Sequence, residues 1–203
     1  MIAIINYGVG NLFSLESSFN AIGEDVKVTS DPEDLKRASR IILPGVGAFE
    51  DAAKKLKSSG LVETFLDEVK RGKPILGICL GMQLLFTKSF EFGEHEGLNL
   101  ISGEVRYIGE VIPAGLKIPQ IGWNALQLGV RSEELGIIKN EGEYVYFVHS
   151  YAAFCDEKFI TATTNYGADL TAAVQNKNVY GVQFHPEKSG NVGLNILREF
   201  CNV

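Results

Sequence analysis

The stretch that most constrains this chain is Pro74–Phe86, which reads Pro-Ile-Leu-Gly-Ile-Cys-Leu-Gly-Met-Gln-Leu-Leu-Phe. It begins as a short apolar run of strand length and continues after Cys79 as the start of a helix. Gly77 and Gly81 each lie two residues from Cys79. The same spacing around serine marks a nucleophile elbow, a strained strand-to-helix turn that exposes a reactive side chain. Glycine fits there because larger side chains would clash with the crowded backbone.

Cys79 allows two interpretations. The free N–H groups and the dipole of the following helix would stabilise a thiolate, which is the reactive form of cysteine. Alternatively, Cys79 is a core residue at the end of a buried strand, where free cysteines are common. We favour the nucleophile, and this interpretation requires a base, an orienting acid and an oxyanion loop elsewhere in the chain.

The first half of the chain alternates strands and helices, which is typical of a parallel α/β sheet. Predicted strands cover Met1–Asn6, Asp25–Thr29 and Arg40–Leu43, and predicted helices cover Leu12–Ala21, a stretch from about Phe49, and Leu61–Lys70. Pro44-Gly45-Val46-Gly47 follows the third strand. Its glycines would let backbone amides turn toward a ligand, although the segment is equally a plain strand-to-helix connection.

The second half is richer in short strands separated by turns. The predicted strands are Gly103–Ile108, Gly122–Leu128, Tyr144–Ser150, Phe159–Thr164, Thr171–Gln175 and Val179–Phe184, followed by a helix from about Asn191 to Cys201. The polar segment Thr87–Gly97 predicts a surface loop. We therefore expect an α/β fold in one domain, 1–203: an open, mostly parallel sheet flanked by helices, with a nucleophile elbow and β-rich hairpins in the C-terminal half.

Composition excludes several classes of function. The 203 residues carry 19 basic and 25 acidic side chains, a net charge of −6 without a basic cluster, which argues against nucleic acid as a partner. No apolar run reaches membrane length and no basic leader precedes the first strand, so we expect a cytoplasmic protein without a membrane partner. Three cysteines without CxxC spacing indicate neither a disulfide framework nor a zinc site. We expect no metal and no cofactor.

Two histidines end predicted strands, where such sheets place their sites. His185 is followed by Pro186 and Glu187, and residues two apart in an extended chain project to the same side. Glu187 would then hold the imidazole while His185 exchanges a proton with the Cys79 sulfur, which is the logic of a catalytic triad. His149 fits a core role as well as a functional one.

Together these motifs resemble a known family. Gly77–Leu85 with His185–Glu187 resembles the triad-type (class I) glutamine amidotransferases. A fuller set resembles the glutaminase subunits of imidazole glycerol phosphate synthases in particular: Asn6–Asn11, Pro44–Phe49, Gly122–Asn124, Phe147–Tyr151 and Gly181–Ser189. This likeness extends from the first strand to the last helix.

The resemblance implies hydrolysis of L-glutamine to glutamate and ammonia by a triad of Cys79, His185 and Glu187. It implies oxyanion donors at Val46 and Leu80. The residues that it places around glutamine are Gly47, Gln83, Glu91, Ser150 and Tyr151.

The resemblance also implies a partner, a (β/α)8-barrel cyclase subunit in a heterodimer. The cyclase would receive the ammonia and form imidazole glycerol phosphate and an aminoimidazole carboxamide ribonucleotide in histidine biosynthesis. Asn11, Trp123, Tyr146 and Lys188 match positions at the subunit contact, although Trp123 and Tyr146 would also fit as core aromatics.

Two other functions remain open on the sequence. The same triad could serve another acceptor synthase, such as one for pyridoxal phosphate or a surface sugar. Pro44–Gly47 differs from the Gly-Gly-Glu-Ser loop toward which pyridoxal-type glutaminases tend. A non-catalytic binding module on the same fold is the other alternative, and an intact Cys79, His185 and Glu187 argues against it.

Overall fold

The computed structural model describes residues 1–129 and 136–203. Their strands, β1 to β13, are Ile2–Ile5, Val26–Thr29, Arg40–Leu43, Ile75–Ile78, Phe86–Ser89, His95–Glu96, Ile101–Tyr107, Gln120–Leu128, Tyr144–His149, Tyr151–Cys155, Ile160–Asn165, Asp169–Asn176 and Val179–Val182. The helices, α1 to α6, are Leu12–Ala21, Pro32–Arg37, Phe49–Ser58, Val62–Lys70, Leu80–Leu84 and Gly190–Cys201. Within these residues, no helix is long and apolar enough to cross a membrane.

Nine strands form the central sheet, in the order β2-β1-β3-β4-β13-β12-β11-β8-β9. The strands from β2 to β13 pair in parallel, and those from β13 to β9 pair antiparallel. This confirms the predicted α/β fold with its β-rich C-terminal half. Because β4 and β13 are parallel neighbours, with Ile78 beside Val182, the residues that follow both strands lie at one edge of the sheet.

A second sheet of four strands, β10-β7-β5-β6, stands beside the first. The prediction of a surface loop over Thr87–Gly97 is therefore wrong, because β5 and β6 occupy much of that segment. In β5, Phe86 and Ser89 are buried while Thr87 and Lys88 are partly exposed. The partly exposed Thr87 and Lys88 make the segment resemble a loop in the sequence, although it pairs as a strand with β7.

Helices cover both faces of the central sheet. Alternate residues of β1 point to opposite faces, with Ile4 in one core and Ile5 in the other. On the first face, α1 contributes Phe19 and α6 contributes Phe200. On the second face, α3 and α4 pack their aromatic and aliphatic side chains against the sheet. The sheet edge that follows β3, β4 and β13 remains free to carry a site.

Candidate active site

Cys79 lies on a strained turn between β4 and α5. Its φ of 55° and ψ of −112° fall outside the regions that non-glycine residues ordinarily occupy, and such strain concentrates at functional sites. The flanking glycines are sterically required. A Cβ atom at Gly77 would lie 2.8 Å from the backbone of Met82, and one at Gly81 would overlap the carbonyl oxygen of Leu43. The predicted elbow is present, and β3 packs directly against it.

His185 lies at the same sheet edge, three residues beyond β13. Its Nδ1 lies 2.7 Å from Oε1 of Glu187, and both side chains are almost fully buried. Burial alone would lower the pKa of His185, but hydrogen bonds to Cys79 and Glu187 and their negative charges raise it to about 10. An imidazolium therefore faces the sulfur of Cys79 at neutral pH.

The turn that carries His185 is bonded to β9. The His185 N–H donates to the carbonyl of Tyr146 over 2.9 Å, and the Tyr146 N–H donates to Oγ of Ser189 over 3.0 Å. The Ser189 hydroxyl in turn donates to the His185 carbonyl over 2.6 Å. Three hydrogen bonds thus fix the histidine relative to the antiparallel half of the sheet.

Cys79 and His185 open into one cavity of about 180 Å³. Every residue that the sequence assigns to the oxyanion or to glutamine lines it: Val46, Gly47, Leu80, Gln83, Glu91, Ser150 and Tyr151. Glu187 lies behind His185, outside this lining. The structure therefore brings the predicted set together at one place, although its members come from widely separated parts of the chain.

Gln183 is a buried residue of this site that the motifs do not single out. Its Oε1 accepts a hydrogen bond from Nε2 of Gln83 over 3.0 Å, and its own Nε2 lies 3.8 Å from the Cys79 sulfur. An amide donor therefore lies beside the reactive sulfur. The sequence signal for this role is the amide side chain between Val182 and Phe184, in a segment that is otherwise apolar.

His149, which the sequence leaves open, lines the same cavity. Burial is the main cause that lowers its pKa to about 4, so its ring is neutral at pH 7. Because its Nδ1 lies 2.9 Å from the Tyr151 carbonyl, that nitrogen carries the hydrogen and Nε2 carries a lone pair. His149 is thus unlike His185 in charge, although both side chains line the same cavity.

Three of the four residues assigned to a subunit contact form a cluster on the surface. Trp123 is 52% exposed, and its ring centroid lies 6.0 Å from that of Tyr146, its partner across β8 and β9. Nζ of Lys188 lies 5.6 Å from the centre of the Tyr146 ring. Asn11 precedes α1, which contacts the turn that carries Lys188. Trp123 is therefore not a core aromatic.

Comparison with known proteins agrees with this geometry. The pattern of the family described as glutamine amidotransferase class-I matches residues 3–202. The chain is 50% identical over 201 residues to the imidazole glycerol phosphate synthase subunit HisH of Caldanaerobacter subterraneus subsp. tengcongensis, which covers 98% of this chain and 97% of the relative. It is 47% identical over 203 residues to the HisH subunit of Archaeoglobus fulgidus, covering 100% of this chain and 98% of the relative.

Solved structures show the same fold at low identity. A glutamine amidotransferase crystal structure matches with a TM-score of 0.76 at 18% identity, over 100% of this chain and 98% of that chain. The structure of PurLQS from Thermotoga maritima matches with a TM-score of 0.74 at 19% identity, over 99% and 97%. The family match over residues 3–202 and the full-length relatives establish that the chain belongs to the class-I glutamine amidotransferase family, within its group of imidazole glycerol phosphate synthase HisH subunits.

Proposed function

We propose that this chain is the glutaminase subunit of an imidazole glycerol phosphate synthase. It hydrolyses L-glutamine to glutamate and ammonia through Cys79, His185 and Glu187, and the ammonia passes to a cyclase subunit. The observation that carries this proposal is the single cavity shared by the strained cysteine, the imidazolium opposite it and the residues assigned to the oxyanion and the substrate.

In the first half of the reaction, the Cys79 thiolate attacks the side-chain carbonyl carbon of glutamine. A carbon–sulfur bond forms, and the carbonyl oxygen takes up the negative charge. The N–H groups of Val46 and Leu80 receive this oxyanion, and Leu80 is also the first residue of α5, where N–H groups have no partner within the helix. Removing one such donor typically lowers kcat by about 10²- to 10³-fold.

His185 then gives its proton to the amide nitrogen, the carbon–nitrogen bond breaks and ammonia leaves. The neutral imidazole next takes a proton from water, and the resulting hydroxide attacks the γ-glutamyl thioester. Cys79 leaves as a thiolate, so one water is consumed and glutamate is released. Glu187 keeps the imidazole oriented through both steps, because it remains bonded to Nδ1.

Glu91 is the acidic side chain among the substrate residues. Its Oε2 accepts the N–H of Phe49 over 2.6 Å, which fixes the carboxylate at the cavity. A carboxylate in this position would pair with the α-ammonium group of glutamine. Gln83 is held by its own bonds to Gln183 and to the Tyr151 carbonyl. The cavity thus offers the Glu91 carboxylate to the α-ammonium group of the substrate and the Cys79 nucleophile to its side-chain amide.

The proposed partner is the (β/α)8-barrel cyclase that forms imidazole glycerol phosphate and the aminoimidazole carboxamide ribonucleotide. Support comes from relatives named as synthase subunits at 45–50% identity over nearly their whole length. The exposed Trp123, Tyr146 and Lys188 also support it, because Tyr146 is bonded to the backbone of His185. A partner at this surface would lie directly beside the triad.

Glutamine hydrolysis by the purified chain tests the proposal, measured alone, with the cyclase subunit, and with the cyclase plus its nucleotide substrate. We expect strong stimulation by the cyclase and nucleotide together. Cys79→Ala should abolish hydrolysis and leave cyclase binding intact, while Cys201→Ala, the matched control, should alter neither.

Three outcomes would contradict the proposal in different ways. A rate of glutamine hydrolysis that does not change with the cyclase would support the triad but indicate another acceptor for the ammonia. Ammonia release that survives Cys79→Ala would exclude the mechanism. No hydrolysis under any condition would indicate a binding module.

A further inference from the structure

The hydroxyl of Tyr7 makes one buried hydrogen bond in this structure. Tyr7 lies two residues beyond β1, is 5% exposed, and donates to the carbonyl oxygen of Pro44 over 2.6 Å. Proline has no N–H, so this carbonyl is the only backbone hydrogen-bonding group that Pro44 offers. Among the described residues, Tyr7 is its only hydrogen-bond partner. The tyrosine therefore anchors the start of the loop that contains Val46.

That loop is hydrogen-bonded at its two ends. Between them the backbone of Gly45 packs against Leu80 and Gly81, where an added Cβ atom would lie 2.6 Å from the Gly81 nitrogen. At the far end, the Phe49 N–H donates to Glu91. The hydrogen bonds of the described residues include none from the N–H groups of Gly45, Val46 or Gly47. Val46 is 43% exposed and lies between the catalytic cavity and a second cleft on its other side. The two hydrogen-bonded ends and the packing of Gly45 together set the position of the Val46 N–H.

The connection between β1 and α1, which contains Tyr7 and Gly10, contacts Pro44 at a second point. A Cβ atom at Gly10 would lie 3.0 Å from Cβ of Pro44, so the backbone there packs on the proline ring. Burial, and then the negative charge of Cys79, raise the pKa of Tyr7 well above its usual value. The hydroxyl consequently stays protonated and remains a donor throughout the pH range of an assay.

We propose that Tyr7 is a positioning residue of the glutaminase reaction, whose hydroxyl holds the Pro44 carbonyl so that the Val46 N–H meets the oxyanion formed on Cys79. This inference rests on the proposed function. Its effect is confined to states that carry the oxyanion, because Tyr7 does not line the glutamine cavity. Substrate binding and the nucleophilicity of the thiolate should therefore be independent of it.

The test compares Tyr7→Phe with Tyr180→Phe in the complex with the cyclase subunit. Tyr180 is the matched control because it is also buried, packs on Phe200 with ring centroids 5.8 Å apart, and has no hydroxyl hydrogen bond within the described residues. We expect Tyr7→Phe to lower kcat by about 10- to 100-fold, since small misplacements of catalytic groups have effects of this size. KM should stay within about threefold, and Tyr180→Phe should change neither constant.

Two reagents that react with Cys79 distinguish a positioning role of Tyr7 from general damage to the active site. Glutamate γ-semialdehyde adds to Cys79 and forms a tetrahedral adduct whose oxygen occupies the oxyanion position, whereas iodoacetamide alkylates the thiolate by displacing iodide without forming an oxyanion. In Tyr7→Phe, the inhibition constant of the aldehyde should rise by the same factor by which kcat falls. The alkylation rate should remain within about twofold of the wild type, as expected if the nucleophile is unchanged.

An unchanged kcat in Tyr7→Phe, or an alkylation rate that falls in parallel with kcat, would overturn the inference. A wild-type complex that does not hydrolyse glutamine would instead overturn the proposed function. If Tyr7→Phe melts below the assay temperature, the wild type, Tyr7→Phe and Tyr180→Phe are compared below that melting temperature. Tyr7→Phe should show the same loss of kcat with unchanged alkylation there, and a wild-type kcat would overturn the inference.

Discussion

Nδ1 of His185 and Oε1 of Glu187 lie 2.7 Å apart, with only Pro186 between them in the chain. The 3-10 turn Pro186–Lys188 brings the two side chains to the same side. Since Nδ1 is engaged by the carboxylate, Nε2 is the nitrogen left for the Cys79 sulfur. Glu187 thus determines both the orientation of the ring and part of its charge.

Replacing Glu187 by glutamine should lower kcat by about 10²- to 10⁴-fold, because the ring loses its oriented tautomer. It should also shift the pH profile. The wild-type pKa of His185 is raised to about 10, so the imidazolium persists up to that pH and is lost above it. Without the carboxylate the pKa falls, and the alkaline limb of kcat/KM should move to lower pH.

Glu157→Gln is the control for this experiment, because Glu157 is an acidic residue of a surface 3-10 turn away from the cavity. Initial rates of glutamine hydrolysis from pH 6 to pH 11 provide the profile. An alkaline limb that keeps its position in Glu187→Gln would contradict the assigned role of the carboxylate.

The three cysteines should differ sharply in reactivity. Burial raises the pKa of Cys155 and of Cys201 to about 11, so both are protonated thiols at pH 7.5. Cys79 faces an imidazolium and the amide of Gln183. Iodoacetamide should modify Cys79 at least about 10²-fold faster, because the thiolate is the nucleophile. Peptide mass spectrometry over time measures the order, and earlier labelling of Cys155 or Cys201 would refute it.

Trp123→Ala should weaken binding of the cyclase subunit by about 30-fold, the effect of a typical aromatic hot spot of about 2 kcal/mol. Half of the Trp123 side chain is exposed beside Tyr146, so its removal takes away contact area without opening the core. Val203→Ala is the control, since this exposed residue lies beside Arg40, the first residue of β3, at the end of the sheet opposite to the catalytic cavity. Titration calorimetry measures the affinity, and equal weakening by both variants would contradict the assignment of the surface.

The parallel half of the fold is predictable from sequence because β1, β3 and β4 are largely apolar runs and helices with their own period lie between the strands. The elbow is predictable for a steric reason, since Gly77 and Gly81 have no room for a side chain. The short helix Pro32–Arg37 is not predicted, although its signals are present. Asp31 accepts the Glu33 N–H over 2.9 Å as a cap, and proline occupies the first turn.

What local patterns miss is the pairing between distant segments. The sequence does not show that the chain changes sheets at Ser150, where β9 ends and β10 begins as part of the second sheet. The contact of Tyr7 with Pro44 spans 37 residues, and that of Gln183 with Cys79 spans 104. Motif spacing predicts the reactive residues of the site, whereas the residues that position them emerge only from the three-dimensional structure.

Glu91→Gln should raise the KM for glutamine by about 10- to 100-fold with little change in kcat. The new amide oxygen can still accept the Phe49 N–H that anchors the loop, so the variant removes only a charge that binds the ground and transition states equally. The pH dependence follows from the pKa of Glu91, which burial raises above the usual carboxyl value against the opposing effects of the Phe49 N–H and His95. The carboxylate is present above that raised pKa and is lost as the pH falls through it. The wild-type KM should therefore rise on acidification, and the KM of Glu91→Gln should stay flat over the same range.

Glu94→Gln is the matched control for Glu91→Gln, since it removes an exposed carboxylate three residues away in the same connection between β5 and β6. Its KM and its pH dependence should equal those of the wild type, because exposed charges at this distance are screened by solvent. Steady-state kinetics from pH 5 to pH 8 measure all three proteins. A fall in kcat at constant KM in Glu91→Gln would contradict the contact with the α-ammonium group and assign Glu91 to holding the loop through Phe49. Equal effects of both variants would indicate a general electrostatic effect and no specific contact with the α-ammonium group.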